Sequence, residues 1–150
     1  MDWKRIIVAI DNTHVSVTAV NYVGSFVGKL SGVKLCLLHI YPSPPPDYYR
    51  DGSTIDDYRQ AKETEAKRFL QEAAQILRES GVPSESISTR CVLADKRTIS
   101  ETILALQQEE GFGTIVVGKR GISKSEEFLF GSISSALIHN GRNIAVWVVG

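Results

Sequence analysis

Residues 114–134 read TIVVGKRGISKSEEFLFGSIS. The stretch opens on a short apolar run, Ile115 to Val117, which suits a buried strand. Glycines follow at 118, 121 and 131, and the last leads into Ser132, Ile133 and Ser134. From Ser132 the pattern turns helical, with Ile133, Ala136 and Leu137 on one face. The stretch therefore reads as strand, long glycine-punctuated loop, helix start. A helix start presents backbone N–H groups that have no partner inside the helix, together with the positive end of the dipole. Phosphate is a natural ligand there. Glycine lets the backbone approach an anion with no Cβ in the way, and the hydroxyls of Ser132 and Ser134 add donors beside the amides.

Working outward, the same alternation of strand and helix fills the chain. Residues 5–10, RIIVAI, are a continuous apolar run ended by Asp11, Asn12 and Thr13, as expected of a strand buried on both faces. Ala19, Val20, Val23, Phe26, Val27 and Leu30 recur at helical spacing, and Gly32 stops that helix. Residues 34–41, KLCLLHIY, form a second buried strand. Residues 42–53, with Pro44, Pro45 and Pro46 in a row, read as a long surface connection. Thr54 and Asp57 have capping-box spacing before a long amphipathic helix that Gly81 and Pro83 end. Residues 87–93 are a third strand, less apolar and so nearer an edge. Thr98 and Glu101 open a further helix, which Gly111 and Gly113 close. The last elements are a helix from Ser132 to about Asn140 and a strand, Ile144 to Val149. Alternation of this kind predicts one α/β domain over residues 1–150, a parallel sheet with helices on both faces and right-handed crossovers.

The glycine spacing is G-x2-G-x9-G-S, from Gly118 through Ser132. It is neither the phosphate loop G-x4-G-K-[ST] nor the dinucleotide fingerprint G-x-G-x-x-G. It resembles the nucleotide-binding signature of the universal stress protein family in its ATP-binding branch, and matches at all four signature positions. The resemblance covers nearly the whole chain. It implies a five-stranded parallel sheet of order 3-2-1-4-5, a Rossmann-like three-layer sandwich of the adenine nucleotide alpha-hydrolase-like kind. The winding then reverses between strands one and four, where ligands bind in open α/β sheets.

Carried over by position, the resemblance implies that Gly131, Ser132, Ile133 and Ser134 hold phosphates and that Gly118 and Gly121 line the ribose and α-phosphate side. Asp11, with Ala9 and Ile10 behind it, sits beside adenine and ribose. The backbone of Ile40 pairs with the adenine edge, and Val117 packs against the base. The implied ligand is ATP, ADP or AMP with Mg²⁺, the implied role regulatory or stress-responsive, and the implied assembly a homodimer through the last strand. The sequence departs from the family in two places at the expected rim: Asn12-Thr13-His14 after the aspartate, and Ala94-Asp95-Lys96-Arg97 after strand three. Two other classes compete with the regulatory reading. One is a slow ATPase or phosphotransferase, against which no convincing general base or arginine clamp accompanies the loop. The other is a nucleotide-free interaction module, whose branch of the family usually lacks the glycines present here.

Other features point elsewhere or nowhere. Lys plus Arg and Asp plus Glu both count 17, so no net field draws the chain to nucleic acid or an anionic membrane. No apolar run reaches the length of a membrane span. The N-terminal MDWKRIIVAI does not read as a signal peptide, and a cytoplasmic protein is expected. Cys36 and Cys91 read as buried thiols in a reducing compartment. His14, His39 and His139 show no metal spacing, and His39 reads as a satisfied strand-end histidine. Asp11 also fits a simple helix cap, and cap and ribose contact are compatible. Lys119, Arg120 and Lys124 are offset by Glu126 and Glu127, which suits a solvated loop.

Overall fold

The computed structural model describes residues 2–119 and 132–150. Strands β1 (Asp2–Ala9), β2 (Lys34–Pro42), β3 (Ile87–Ala94), β4 (Phe112–Gly118) and β5 (Ala145–Val149) alternate with helices α1 (His14–Val27), α2 (Ile55–Glu79), α3 (Ile99–Glu110) and α4 (Ser132–Asn140). The strands form one parallel sheet in the order β3-β2-β1-β4-β5. The less apolar β3 is an edge, and the winding reverses between β1 and β4.

Side-chain alternation explains why the central strands are apolar throughout. Ile6, Val8 and Ile10 pack with Leu35, Leu37 and Val116 under α1 and α2. Ile7 packs with Cys36, Leu38, Ile115 and Val117 under α3 and α4. Most central-strand residues meet a helix layer on one face or the other, which leaves little room for polar side chains; Thr114 is buried in β4 with its hydroxyl donating to the Trp3 carbonyl at 2.9 Å. A side chain such as Ile7 or Leu37, fully buried here, contributes roughly 1.5–3 kcal/mol by leaving water. Both predicted capping boxes are formed. Asp57 N donates to Thr54 Oγ1 at 3.1 Å and Glu101 N to Thr98 Oγ1 at 3.1 Å, and the carboxylates return to the cap amides.

Several boundaries differ from expectation. β1 begins at Asp2 and irregularly meets β4, since its register shifts between Asp2 and Ile6. Gly113 does not close α3; Gly111 does so alone at φ 74°, and Gly113 lies inside β4. Helix α1 ends at Val27, not at Gly32. Gly28 takes the cap because α2 passes so close that a Cβ there would lie 2.1 Å from the Ser80 carbonyl oxygen. Phe26 and Leu30, which share the helical spacing of the α1 stripe, are 57% and 51% exposed. The proline-rich connection holds a 3-10 helix, Pro46–Asp51. It is pinned by Tyr48 against Tyr58 at 5.2 Å and by Tyr58 Oη, which donates to the Pro42 carbonyl at 2.6 Å. β5 starts at Ala145, one residue later than expected. Cys36 is buried but Cys91 only half-buried, and both are free. They pack on opposite faces of the sheet, so they cannot pair. No helix among the described residues is long and apolar enough to cross a membrane.

Candidate functional site

Beyond the C-terminal ends of β1, β2 and β4 lies a cavity of about 280 Å³. β1 contributes Ala9, then Ile10 and Asp11 follow it; β2 contributes Leu38 through Pro42; β4 contributes Val117 and Gly118. The start of α4 closes one side with Ser132, Ile133 and Ser134. Ile99 and Ile103 of α3 and Lys62, Glu65 and Phe69 of α2 complete the walls. The cavity thus brings together Ala9, Ile10, Asp11, Ile40, Val117, Gly118, Ser132, Ile133 and Ser134, residues separated by up to 125 positions in the chain. Gly121 and Gly131 lie outside the described residues. Of the two departures at the expected rim, Asn12 and Thr13 line this cavity. The segment after β3 does not: Asp95 and Arg97 line a separate depression between β3 and α3. The reason is the sheet order, which sets β3 two strands from β1.

Asp11 is organised by the turn that follows it. Its Oδ1 accepts from Thr13 N at 3.1 Å, from Thr13 Oγ1, and from Ser16 Oγ at 2.8 Å. Asp11 N in turn donates to Ser16 Oγ at 2.8 Å. Thr13, not Asp11, is the N-cap residue of α1, and it makes no side-chain cap bond. The aspartate therefore holds the turn that enters the helix without capping it. His39 is satisfied as expected. Its Nδ1 lies 2.9 Å from the Ile10 carbonyl oxygen. A carbonyl only accepts, so Nδ1 carries the proton. The ring also meets the Phe69 ring edge-on at 4.9 Å.

The β1–β2 ladder stops at the pair Ala9–Leu38, followed by one bond from Ile10 N to Leu38 O at 2.8 Å. In a parallel ladder alternate residues turn both backbone polar groups toward the same neighbour. Leu38 serves β1, so Ile40 is the next residue of that set, and it lies past the last rung. Its N–H and C=O border the cavity. At Gly118 a Cβ would lie 2.7 Å from Val15 Cγ1. The absence of a side chain there lets the end of β4 abut the start of α1. Ser134 is buried on α4, and Ser132 is exposed at the helix's first turn. Burial is the main influence on the Tyr41 phenol and pushes its pKa up, so it stays protonated at neutral pH.

Chemically the cavity pairs an apolar wall with a polar end. Ile40, Ile99, Ile103 and Val117 offer a slot for a flat apolar face. Ser132, Ser134 and the start of α4 offer donors for an anion. Among the described residues no group of three His, Cys, Asp or Glu is placed to hold a metal ion. Reading along the sequence missed Ser16, the place of His39 in the cavity wall, and the α2 wall. Lys62 and Phe69 reach the cavity through the packing of α2 on β2, which no local pattern encodes. Ser16 follows Asp11 at a fixed short distance, and that spacing was the one available signal.

A sequence profile described as the universal stress protein family matches residues 2–150. The chain is 29% identical over 139 residues to universal stress protein YxiE of Bacillus subtilis, covering 88% of this chain and 89% of the relative. Among solved structures, a universal stress protein in complex with cAMP superposes with a TM-score of 0.72 at 20% identity, covering 97% of this chain and 96% of the other. The universal stress protein of Archaeoglobus fulgidus in complex with dAMP gives 0.63 at 20% identity, covering 97% of each chain. With a matching profile over essentially its whole length, this chain belongs to the universal stress protein family.

Proposed function

We propose that the cavity binds an adenine nucleotide, ATP in its working state, and that the protein is a regulatory module that reports nucleotide status through that binding. The observation that carries the reading is the convergence of Gly118, the start of α4 and Asp11 on one cavity at the switch point of the sheet. The start of α4 supplies amides and the Ser132 and Ser134 hydroxyls for phosphates. The apolar slot takes the base, and Ile40's unpaired backbone edge suits the adenine edge. The cAMP and dAMP bound by two structural neighbours support an adenine ligand. Mg²⁺ commonly binds through phosphates and water with one or two carboxylates. A wall that carries Asp11 and Glu65 but, among the described residues, no group of three His, Cys, Asp or Glu placed to hold a metal fits an ion that arrives on the nucleotide.

Small molecules released from purified protein by denaturation and identified by mass spectrometry test the reading. Adenine nucleotide at near one per chain is expected; protein purified without any, and unable to take it up, contradicts it. We also propose that the protein is a binding module more than an enzyme. The cavity wall holds Lys62 and Lys119 but no arginine among the described residues. Phosphate release well below the ~1–100 s⁻¹ of kinases is therefore expected. Turnover inside that range would make it an enzyme.

The proposed assembly is a homodimer paired through β5, in the cytoplasm. β5 is a sheet edge without charge or proline, and such edges are normally covered. Trp147 contributes less to that contact than its size implies. It already meets Phe26 at 5.5 Å and Tyr22 at 6.1 Å within its own chain. Those two exposed rings extend the apolar rim beside the edge.

A further inference from the structure

We propose that Arg142 of the partner subunit reaches the phosphate end of the cavity in the β5-paired dimer, so that each nucleotide is held across the dyad by an arginine from the other chain. The inference rests on the nucleotide and dimer readings above and names what the second copy adds to the site. The phosphate end of the cavity lies beside the open edge of the sheet. Lys119, the first residue after β4, lines the cavity, and its N–H donates to the carbonyl of Val149, the last residue of β5, at 2.6 Å. Ser132, Ile133 and Ser134 line it from the start of α4. Ile133, Ile144 and Val146 pack against one core cluster, so α4 and the Val146 face of β5 share one side of the sheet. At the other end of α4 a tight turn, Gly141 to Asn143, leads back toward β5. Gly141 N donates to the Leu137 carbonyl at 2.8 Å, and Asn143 turns the chain at φ 54°, in the left-handed region that asparagine tolerates. Arg142 stands exposed on that turn and forms no ion pair among the described residues.

Two β5 edges paired antiparallel are related by a twofold axis normal to the sheet. Such an axis reverses the strand direction and keeps each face on its own side. The N-terminal end of one β5 therefore lies against the C-terminal end of the other, and the turn before it arrives on the side of the sheet where α4 begins. Val146 and Val148 turn their amides outward, so Val146 faces the partner's Val146 or the partner's Val148. At a rise of about 3.3 Å per residue, the partner's Arg142 then stands level with Gly150 or roughly 7 Å beyond it. A strand spacing of about 4.8 Å sets its backbone about 10 Å from the end of β4. Both levels lie past the strand ends, where the cavity opens. The charged residues of the described lining balance, Lys62 and Lys119 against Asp11 and Glu65. A triphosphate adds negative charge, and a guanidinium fork matches phosphate oxygens. Base, sugar and phosphates run from the β2 side toward β5. The terminal phosphates therefore come nearest the dyad, and a monophosphate stops short of it. Linkage is reciprocal, so ATP tightens the dimer by the factor that the dimer tightens ATP.

The test is a double-mutant cycle on the full chain, Arg142→Gln against Val146→Pro. It is read by calorimetric titration with ATP and with AMP, each with Mg²⁺, and by light scattering with and without ATP. At concentrations where wild type is dimeric, Arg142→Gln is expected to weaken ATP about fivefold or more and to leave AMP unchanged. Dimerisation without nucleotide is expected to match wild type, and the tightening of the dimer by ATP to vanish. In the monomeric Val146→Pro background ATP is expected to bind at the weakened level, and Arg142→Gln to add nothing. That arm separates an arginine acting across the dyad from one acting within its own chain. Should Val146→Pro fail to fold, wild type and Arg142→Gln titrated below the concentration at which the dimer forms supply the same arm, with equal ATP affinities expected. An Arg142→Gln dimer that binds ATP as wild type does, or an equal loss in monomer and dimer, would overturn the inference and leave the nucleotide and dimer readings standing. Wild type without affinity for ATP would overturn the nucleotide reading with it, and wild type that stays monomeric the dimer reading.

Discussion

Asp11 shows how much one residue's meaning depends on its neighbours. Two roles, helix cap and ligand contact, were compatible with its place after a buried strand. Thr13 and Ser16 settle its local work: they tie Oδ1 into the turn, and the cap position itself belongs to Thr13. Gly118 carries a similar lesson. Its place in the glycine signature was legible, whereas its contact with Val15 was not, because that contact joins positions more than 100 residues apart. Cys91 is a residue whose environment changed the expectation. Burial, and after it the Glu63 carboxylate, pushes the thiol up to about 11, against roughly 8.5 for a free cysteine. Burial likewise raises Cys36. Thiolate is the reactive form, so native protein at pH 8 is expected to show almost no rapid thiol titration, and denatured protein two thiols. The folded state holds the Cys91 proton more tightly than the unfolded chain does. Stability from this group is therefore complete below the unfolded pKa and is lost as pH climbs toward about 11. Rapid labelling of one thiol in native protein at pH 8 would show that Cys91 is not shielded.

At the scale of elements, capping boxes and buried strands were readable because each is a local pattern with a local cause. The end of α1 was not, because what stops it is another helix. Gly24 and Gly28 let α2 come close: a Cβ at Gly24 would lie 2.4 Å from Ser80 Oγ. Phe26 has helical spacing with the core residues of α1, yet it points to the sheet's flank and meets Trp147 there. Periodicity finds a stripe but does not say how wide the covering layer is. β5 yields a prediction from its backbone alone. Val149 O accepts from Lys119 N at 2.6 Å, so Val149 is turned toward β4. By alternation Ala145 and Trp147 also serve β4, and Val146 and Val148 present their amides to the open edge. Val146→Pro removes an outward donor and leaves the β4 ladder its own bonds. Light scattering after size exclusion is expected to show a wild-type dimer at micromolar concentration and a shift toward monomer in Val146→Pro. A wild type that stays monomeric across that range would sink the edge-pairing idea.

At the scale of the whole molecule, strand–helix alternation was enough to predict a parallel sheet, and the family resemblance supplied its order. The order then decides where chemistry is possible. The winding reverses between β1 and β4, the helices diverge there, and the cavity opens at that point. The α2 wall of the cavity was illegible because it depends on how a 25-residue helix lies across the sheet. The central claim is that the start of α4 holds the phosphates of a nucleotide. Ser132→Glu tests it most directly. Ser132 is exposed in the first turn of α4, where an acidic residue favours the helix dipole by about 0.3–1 kcal/mol. The fold is therefore expected to keep its melting temperature or gain slightly, while a carboxylate beside the phosphates repels them. Calorimetric titration with ATP and Mg²⁺ is expected to show saturable binding in wild type and a loss of about tenfold or more in Ser132→Glu, roughly 1.4 kcal/mol. Equal affinity in the two proteins, at equal melting temperature, would contradict the account and remove the phosphates from this helix.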